Sequence, residues 1–298
     1  MAKETITRGA GAFSSATGLS RVLGFVRDML LANFLGASGS SDAFFVAFRI
    51  PNLLRELFAE GSMSAAVVPV LTEAEVKEGP ERARIVVKKL FTFLLVSVGL
   101  ICILAEFFAP IIVKAIAPGF KGQQFALTVL LSRIMFVFLL FVSLSALLMG
   151  ALNVRKVFFV PAMASAWFNV TTIVVLLVLI LAGVSPLVAA SVAIVCGGFM
   201  QFFSQVPTFM KKGYRFGIEL RFSDPYLKRM ALLWLPTLAG LAVTQLNIFV
   251  STIIASFLPH GSITYLYYAM RLIQLPIGMF GVAVAVTSLA TLSEHASR

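Results

Sequence analysis

Six arginines lie in segments that are otherwise apolar enough to cross a membrane: Arg21, Arg27, Arg49, Arg55, Arg133 and Arg271. A guanidinium offers its N–H donors as a fork, which binds a phosphate or a carboxylate through two hydrogen bonds. A charge at the bilayer centre costs about 2.5–3.5 kcal/mol on insertion scales. Because four of the six lie within the first 55 residues, we expect them to line a cavity for an anionic ligand.

Helical spacing groups these side chains. At about 100° per residue, Arg21, Gly24 and Asp28 share one face of the first helix, and Arg27 lies about 120° round from Arg21. The second helix repeats the plan, with Arg55 beside a stripe that contains Arg49, Asn52, Glu56 and Glu60. Pro51 should bend that helix, and Ser40, Ser41 or Asp42 is its predicted N-cap. Together the two helices predict a wet, positive cavity.

A purely structural role is the alternative for these arginines. Asp28, Asp42, Glu56 and Glu60 are available to neutralise the four cations locally. For Arg133, which stands near the start of its segment, we expect a structural or interfacial role.

The composition is that of an all-α integral membrane protein. Hydrophobic residues make up 59% and charged residues 12%, with a mean hydropathy of +0.98, whereas soluble chains have about 25% charged residues. The net charge of +11 indicates the positive-inside rule and anionic lipids rather than nucleic acid. Apolar segments of about 20 residues or more predict eight spans, at 13–35, 42–70, 86–113, 125–152, 158–182, 187–209, 228–257 and 263–290.

The distribution of lysine and arginine predicts the orientation. Sixteen of the 24 fall at or beyond the ends of these spans on one side, six lie deeper within spans, and only Lys114 and Lys121 fall on the other side. The positive-inside rule therefore places the N- and C-termini in the cytoplasm.

Catalysis and metal binding find no support in the sequence. Cys102, Cys196, His260 and His295 have no spacing typical of a metal site or a disulfide, and no hydrolase triad, Walker A loop or dinucleotide motif is present. We expect no enzyme, no metal and no cofactor. A transport step would then draw on an ion gradient, the membrane potential or substrate flux.

A weak internal repeat suggests two lobes. Residues 31–35 (LANFL) match 254–258 (IASFL), and 47–50 (AFRI) match 269–272 (AMRL). The seventh and eighth helices would then copy the first and second, with Arg271 as the counterpart of Arg49, and transporters often bind substrate between such repeats. The long basic connection from Lys211 to Arg229 predicts a first lobe at 1–212 and the start of a second at 213–298.

Four stretches, SRVLGFVRD, SDAFFVAFRIPNLLRELFAEGS, APGF and YYAMR, closely resemble the MurJ (MviN) family. These bacterial lipid II flippases belong to the multidrug/oligosaccharidyl-lipid/polysaccharide exporter superfamily. The resemblance implies a MATE-like lobe of six helices plus two helices of a second, in the inner membrane. It also implies alternating access that moves lipid II, the undecaprenyl-pyrophosphate-linked peptidoglycan precursor, to the outer leaflet. The family's cavity arginines correspond to Arg21, Arg27, Arg55 and Arg271, with Asp28, Asp42 and Arg49 as supporting charges.

Two departures from the family pattern accompany the resemblance. Met270 stands where the family usually has an Asp, which removes a counter-charge beside Arg271. The family has about fourteen helices. With eight, the second lobe would be completed by a second polypeptide or by self-association, or the chain would be a truncated or split form of the flippase. The alternatives are an exporter of another lipid-linked glycan in the same superfamily, and a partial membrane protein that transports nothing.

Overall fold

The computed structural model describes residues 2–59 and 62–276, which contain ten helices and no strand. The prediction of an all-α protein is confirmed. The helices are α1 Ala2–Leu35, α2 Gly39–Ala59, α3 Ser62–Glu78, α4 Pro80–Ile116, α5 Gly122–Val154, α6 Phe159–Leu181, α7 Pro186–Phe203, α8 Val206–Lys211, α9 Pro225–Ala255 and α10 Ser262–Pro276.

Four stretches among the described residues are long and apolar enough to cross a membrane: α4, α5, α6 and the continuous stretch Pro186–Lys211. The predicted second span, at 42–70, includes most of α2 and the first part of α3, on either side of residues 60 and 61, which lie outside the described residues. Glu60 and the part of the eighth predicted span after residue 276 lie outside the described residues.

Helix α2 begins earlier than the sequence predicted. The hydroxyl of Ser38 accepts a hydrogen bond from the backbone N–H of Ser41 at 3.2 Å, and the carbonyl of Ser38 accepts from the N–H of Asp42. This is the contact an N-cap makes, so the prediction of Ser40, Ser41 or Asp42 was wrong. Gly36, with φ of +62°, turns the chain out of α1, and Ser38 is therefore the first residue placed to cap α2.

Helix α5 forms the centre of the fold. It packs against α2, α4 and α7, while α6 packs against α7 and α1. Gly198 on α7 allows close packing, since a Cβ there would collide with the ring of Phe138 on α5. Helix α10 lies against α2, where the ring of Tyr267 stacks on Phe45 with centroids 4.2 Å apart.

A buried carboxylate fastens the start of α9 to α4. Asp224 caps α9 by accepting from the N–H of Tyr226 at 3.0 Å, and its Oδ2 meets Arg82 at 3.0 Å and Lys89 at 2.8 Å. Burial alone would raise the pKa of Asp224, but the hydrogen bonds from Lys89 and Tyr226 and the charge of Arg82 outweigh it, and the pKa is lowered. The carboxylate therefore stays ionised and holds the two helices together.

Candidate functional site

Arg27 and Asp28, neighbours on α1, form a buried ion pair inside the bundle. The Nε and NH2 groups of Arg27 donate to Oδ1 of Asp28 at 3.0 and 2.7 Å, and each residue is 8% exposed. The guanidinium also lies over the ring of Phe168 on α6, 5.4 Å from its centroid. Part of the predicted local neutralisation is thus present, through Asp28.

Asn169 on α6 holds the other side of this arginine. Its Oδ1 accepts from NH1 of Arg27 at 2.9 Å, and its Nδ2 donates to the carbonyl of Ser20 at 2.9 Å. The bonds to Asp28 and Asn169 use three of the five guanidinium hydrogens, so each terminal nitrogen keeps one further hydrogen. Sequence reasoning missed Asn169. A buried asparagine in an apolar helix was the available signal, because buried polar groups require partners.

Arg271 on α10 reaches the same carboxylate from another helix. Its Nε lies 3.4 Å from Oδ2 of Asp28 and donates to the hydroxyl of Tyr267 at 3.2 Å. The guanidinium also lies over the Tyr267 ring, 5.1 Å from the centroid, and its NH1 donates to Gln274 at 3.3 Å. The Arg271 side chain is 29% exposed. Asp28 thus supplies a counter-charge to Arg271, although Met270 replaces the family's acid.

The remaining predicted cations have different surroundings. Arg21 is exposed although helical spacing puts it on the same face of α1 as Asp28, because neighbouring helices bury only the later part of that face. Arg55, half-buried on α2, donates from Nε to Asn52 at 3.1 Å, and Arg49 is also half-buried. The exposed Arg133 donates to the backbone carbonyl of Glu106 at 3.2 Å.

Asp42, predicted as a supporting charge of the cavity, caps α10. Its Oδ2 accepts from the N–H of Gly261 at 2.6 Å, and its Oδ1 accepts from the N–H and the hydroxyl of Thr264 at 2.8 and 2.7 Å. The residue is 3% exposed. Helix N-termini favour a negative charge because their first N–H groups are unpaired. This carboxylate therefore joins α2 to the start of α10.

A family profile described as "Lipid II flippase MurJ" matches residues 31–298. The chain belongs to the MurJ family. It is 37% identical over 287 residues to the lipid II flippase MurJ of Burkholderia cenocepacia, which covers 94% of the chain and 56% of that relative. The chain thus spans about half the length of the curated relatives that it matches.

Solved structures agree with the MurJ assignment. A structure titled "Lipid II flippase MurJ, inward closed conformation" aligns with a TM-score of 0.81 at 30% identity, covering 95% of this chain and 58% of that one. A crystal structure of a MATE protein in complex with MaD3S aligns with a TM-score of 0.66 at 17% identity, over 88% of this chain and 59% of the other. The second match shows a shared MATE-like fold.

Proposed function

We propose that this chain is a lipid II flippase of the MurJ type, which moves the undecaprenyl-pyrophosphate-linked precursor across the bacterial inner membrane. The observation that carries the proposal is the sharing of one carboxylate, Asp28, by Arg27 of α1 and Arg271 of α10. The two arginines come from helices far apart in the chain, and neither is fully enclosed by its protein partners. A pyrophosphate offers the paired oxygens that such forks bind.

In this mechanism the substrate competes with Asp28. A pyrophosphate that binds the partly exposed Arg271 would displace its contact with Oδ2 of Asp28. It would also accept hydrogen bonds from the two N–H groups of Arg27 that Asp28 and Asn169 leave unused. Breaking the link between α1 and α10 would then free the two lobes, 1–212 and 213–298, to rock in alternating access. Arg21 and Arg55 would contact the pyrophosphate at other stages of transit, with Arg49 as a supporting charge.

The proposed topology has eight spans, six in the first lobe and two in the second, with both termini in the cytoplasm. The excess of basic residues on one side supports this orientation. The membrane potential or an ion gradient would supply the energy, with no cofactor. Completion of the second lobe by a second polypeptide or a second copy stays a prediction.

A second candidate is the export of another lipid-linked glycan. The cluster of Asp28, Arg27 and Arg271 would bind a diphosphate group, which such lipids have in common. The cluster includes no side chain that is specific for a sugar or a peptide. The same arginines argue against a cationic drug as substrate, because a cation would prefer acidic cavity walls.

The test is rescue of lipid II flipping in bacterial cells depleted of their own flippase. The chain should restore flipping, and Arg27→Ala and Arg271→Ala should abolish it. Arg133→Ala is the matched control, because Arg133 is exposed and bonds to a backbone carbonyl outside the cluster. Normal flipping by both cluster variants would refute the clamp, and rescue of a different glycan lipid alone would favour the second candidate.

A further inference from the structure

The segment between α8 and α9 has an alternating pattern of exposed apolar residues. Phe216, Ile218, Leu220 and Phe222 are 37%, 77%, 66% and 38% exposed, and the residues between them are glycine or charged. Ile218 and Leu220 are the most exposed of the four, because the ring of Phe216 packs on Phe91 of α4 and Phe209 of α8, with centroids 5.0 and 5.2 Å apart. In a membrane protein, exposed apolar side chains such as these two fit the boundary between headgroups and acyl chains.

Contacts with α4 hold this segment in place. The N–H of Glu219 donates to the hydroxyl of Thr92 at 3.0 Å, and the same hydroxyl lies 3.3 Å from the carbonyl of Gly217. Phe222 packs edge-to-face on Phe93 of α4, with ring centroids 5.9 Å apart. The segment is therefore fixed on the bundle surface.

An apolar cleft of about 640 Å³ opens beside Phe222. Its walls come from α3, α4 and the first turns of α9, and include Leu90, Phe93, Leu94, Phe222, Met230 and Trp234. The exposed Lys228 stands on its lining. A slot with this lining suits a hydrocarbon chain, with a cation placed for the headgroup.

The charges around the cleft favour an anionic lipid. Two acids of this side are engaged, since Asp224 binds Arg82 and Lys89, and Glu73 binds Lys77 and Arg229. Glu219 is in no ion pair among the residues that the structure describes, but unpaired cations outnumber it. Ion pairs within the described part of the chain do not include Lys88, Lys211, Lys212, Arg215, Arg221 or Lys228. Basic residues near a membrane surface attract anionic headgroups.

We propose that this cleft binds one anionic phospholipid, with an acyl chain between α4 and α9 and the headgroup phosphate at Lys228. Lys88 lies on the opposite face of α4 from Leu90, Phe93 and Leu94, and a Cβ at Gly217 would lie 3.6 Å from its Cδ. Lys88 therefore adds to the positive charge of this side without lining the cleft. The site is separate from the arginine cluster and does not depend on the flippase activity.

Trp234 offers a direct probe, because the chain has only two tryptophans. In a Trp167→Phe background, Trp234 fluorescence is measured in nanodiscs that contain equal mole fractions of phosphatidylglycerol or phosphatidylcholine with brominated acyl chains. We expect phosphatidylglycerol to occupy the site about fivefold more strongly per contributing lysine. Trp167 alone, in a Trp234→Phe chain, should be quenched equally by the two lipids.

Lys228→Gln should remove most of the preference, and because Lys228 is exposed its replacement spares the fold. Lys114→Gln, an exposed lysine on the opposite side of the predicted spans, is the matched control and should change nothing. Equal quenching by both lipids, no quenching, or an unchanged preference in Lys228→Gln would overturn the site. Relief of quenching by one equivalent of lipid II would assign the cleft to the substrate's tail and also overturn the proposal.

Discussion

Asp28 on α1 and Arg271 on α10 meet at 3.4 Å, 243 positions apart in the sequence. The same carboxylate also binds the neighbouring Arg27 through its other oxygen. One buried anion therefore pairs with a cation of its own helix and with a cation of a distant helix, which leaves the three residues with a net charge of +1. Asp28 is therefore the residue whose ion pairs connect α1 with α10.

Removing Asp28 should destabilise the protein more than removing the Asp28–Arg27 pair together. Asp28→Ala leaves Arg27 buried without its ion-pair partner, and breaking a buried pair costs about 3–5 kcal/mol. The double variant Asp28→Ala/Arg27→Ala leaves no orphan charge at that position and should lose less. Unfolding in mixed micelles measures both. A double variant that is less stable than Asp28→Ala would contradict the pairing.

Asn169 should act through Arg27. Asn169→Ala frees one edge of the guanidinium and should weaken lipid II binding about tenfold, the scale of a hydrogen bond to a charged group. In an Arg27→Ala background, the same substitution should have no further effect on binding. Affinity is measured on the purified chain for all four combinations.

Thr172→Val is the matched control for Asn169. Thr172 is buried on the same helix, and its hydroxyl donates to the carbonyl of Phe168 within that helix. Its loss should leave lipid II affinity unchanged. If Asn169→Ala weakens binding equally with and without Arg27, its effect is structural and the positioning role is wrong.

Asp42→Ala should loosen the start of α10. The carboxylate accepts hydrogen bonds from N–H groups at the start of that helix, and side chains that do so from the N-cap position contribute about 0.5–2 kcal/mol. The amide hydrogens of Gly261 and Thr264 should exchange faster with solvent, while those of α5 should not. Ser262→Ala serves as control, because the Ser262 hydroxyl bonds to the carbonyl of Pro259 in the preceding turn. Unchanged exchange at Thr264 would rule out the capping role.

Asp224 should make stability depend on acid pH. Its folded pKa is lowered from 3.8, so its stabilising contribution is complete above pH 3.8 and disappears as pH falls through the lower folded value. Asp224→Asn should lower the melting temperature at pH 7 and flatten its acid dependence. Thermal unfolding between pH 7 and pH 3 tests this, and an identical acid slope in Asp224→Asn would contradict it.

The sequence predicted the helices and the candidate arginines, but not which of them meet. Composition and helical spacing are local properties, and they correctly indicated an all-α chain and an acid, Asp28, available as a counter-charge. The partners of these charges come from other helices: Asn169 lies 142 residues from Arg27, and Thr264 lies 222 from Asp42. Helical spacing put Arg21 and Asp28 on one face, but tertiary packing decided that only Asp28 is buried.

Gly119, in the turn between α4 and α5, lies so close to the loop that follows α9 that residue 119 has no room for a side chain. Its N–H donates to the hydroxyl of Ser256 at 3.1 Å, and a Cβ at this position would collide with the Ser256 carbonyl oxygen. Its φ is not positive, so the conformation itself accepts any residue and only the neighbouring loop demands glycine. A single methyl group at residue 119 would raise the free energy of the conformation in which the two loops touch. It would leave unchanged the free energy of any conformation in which the loops are apart.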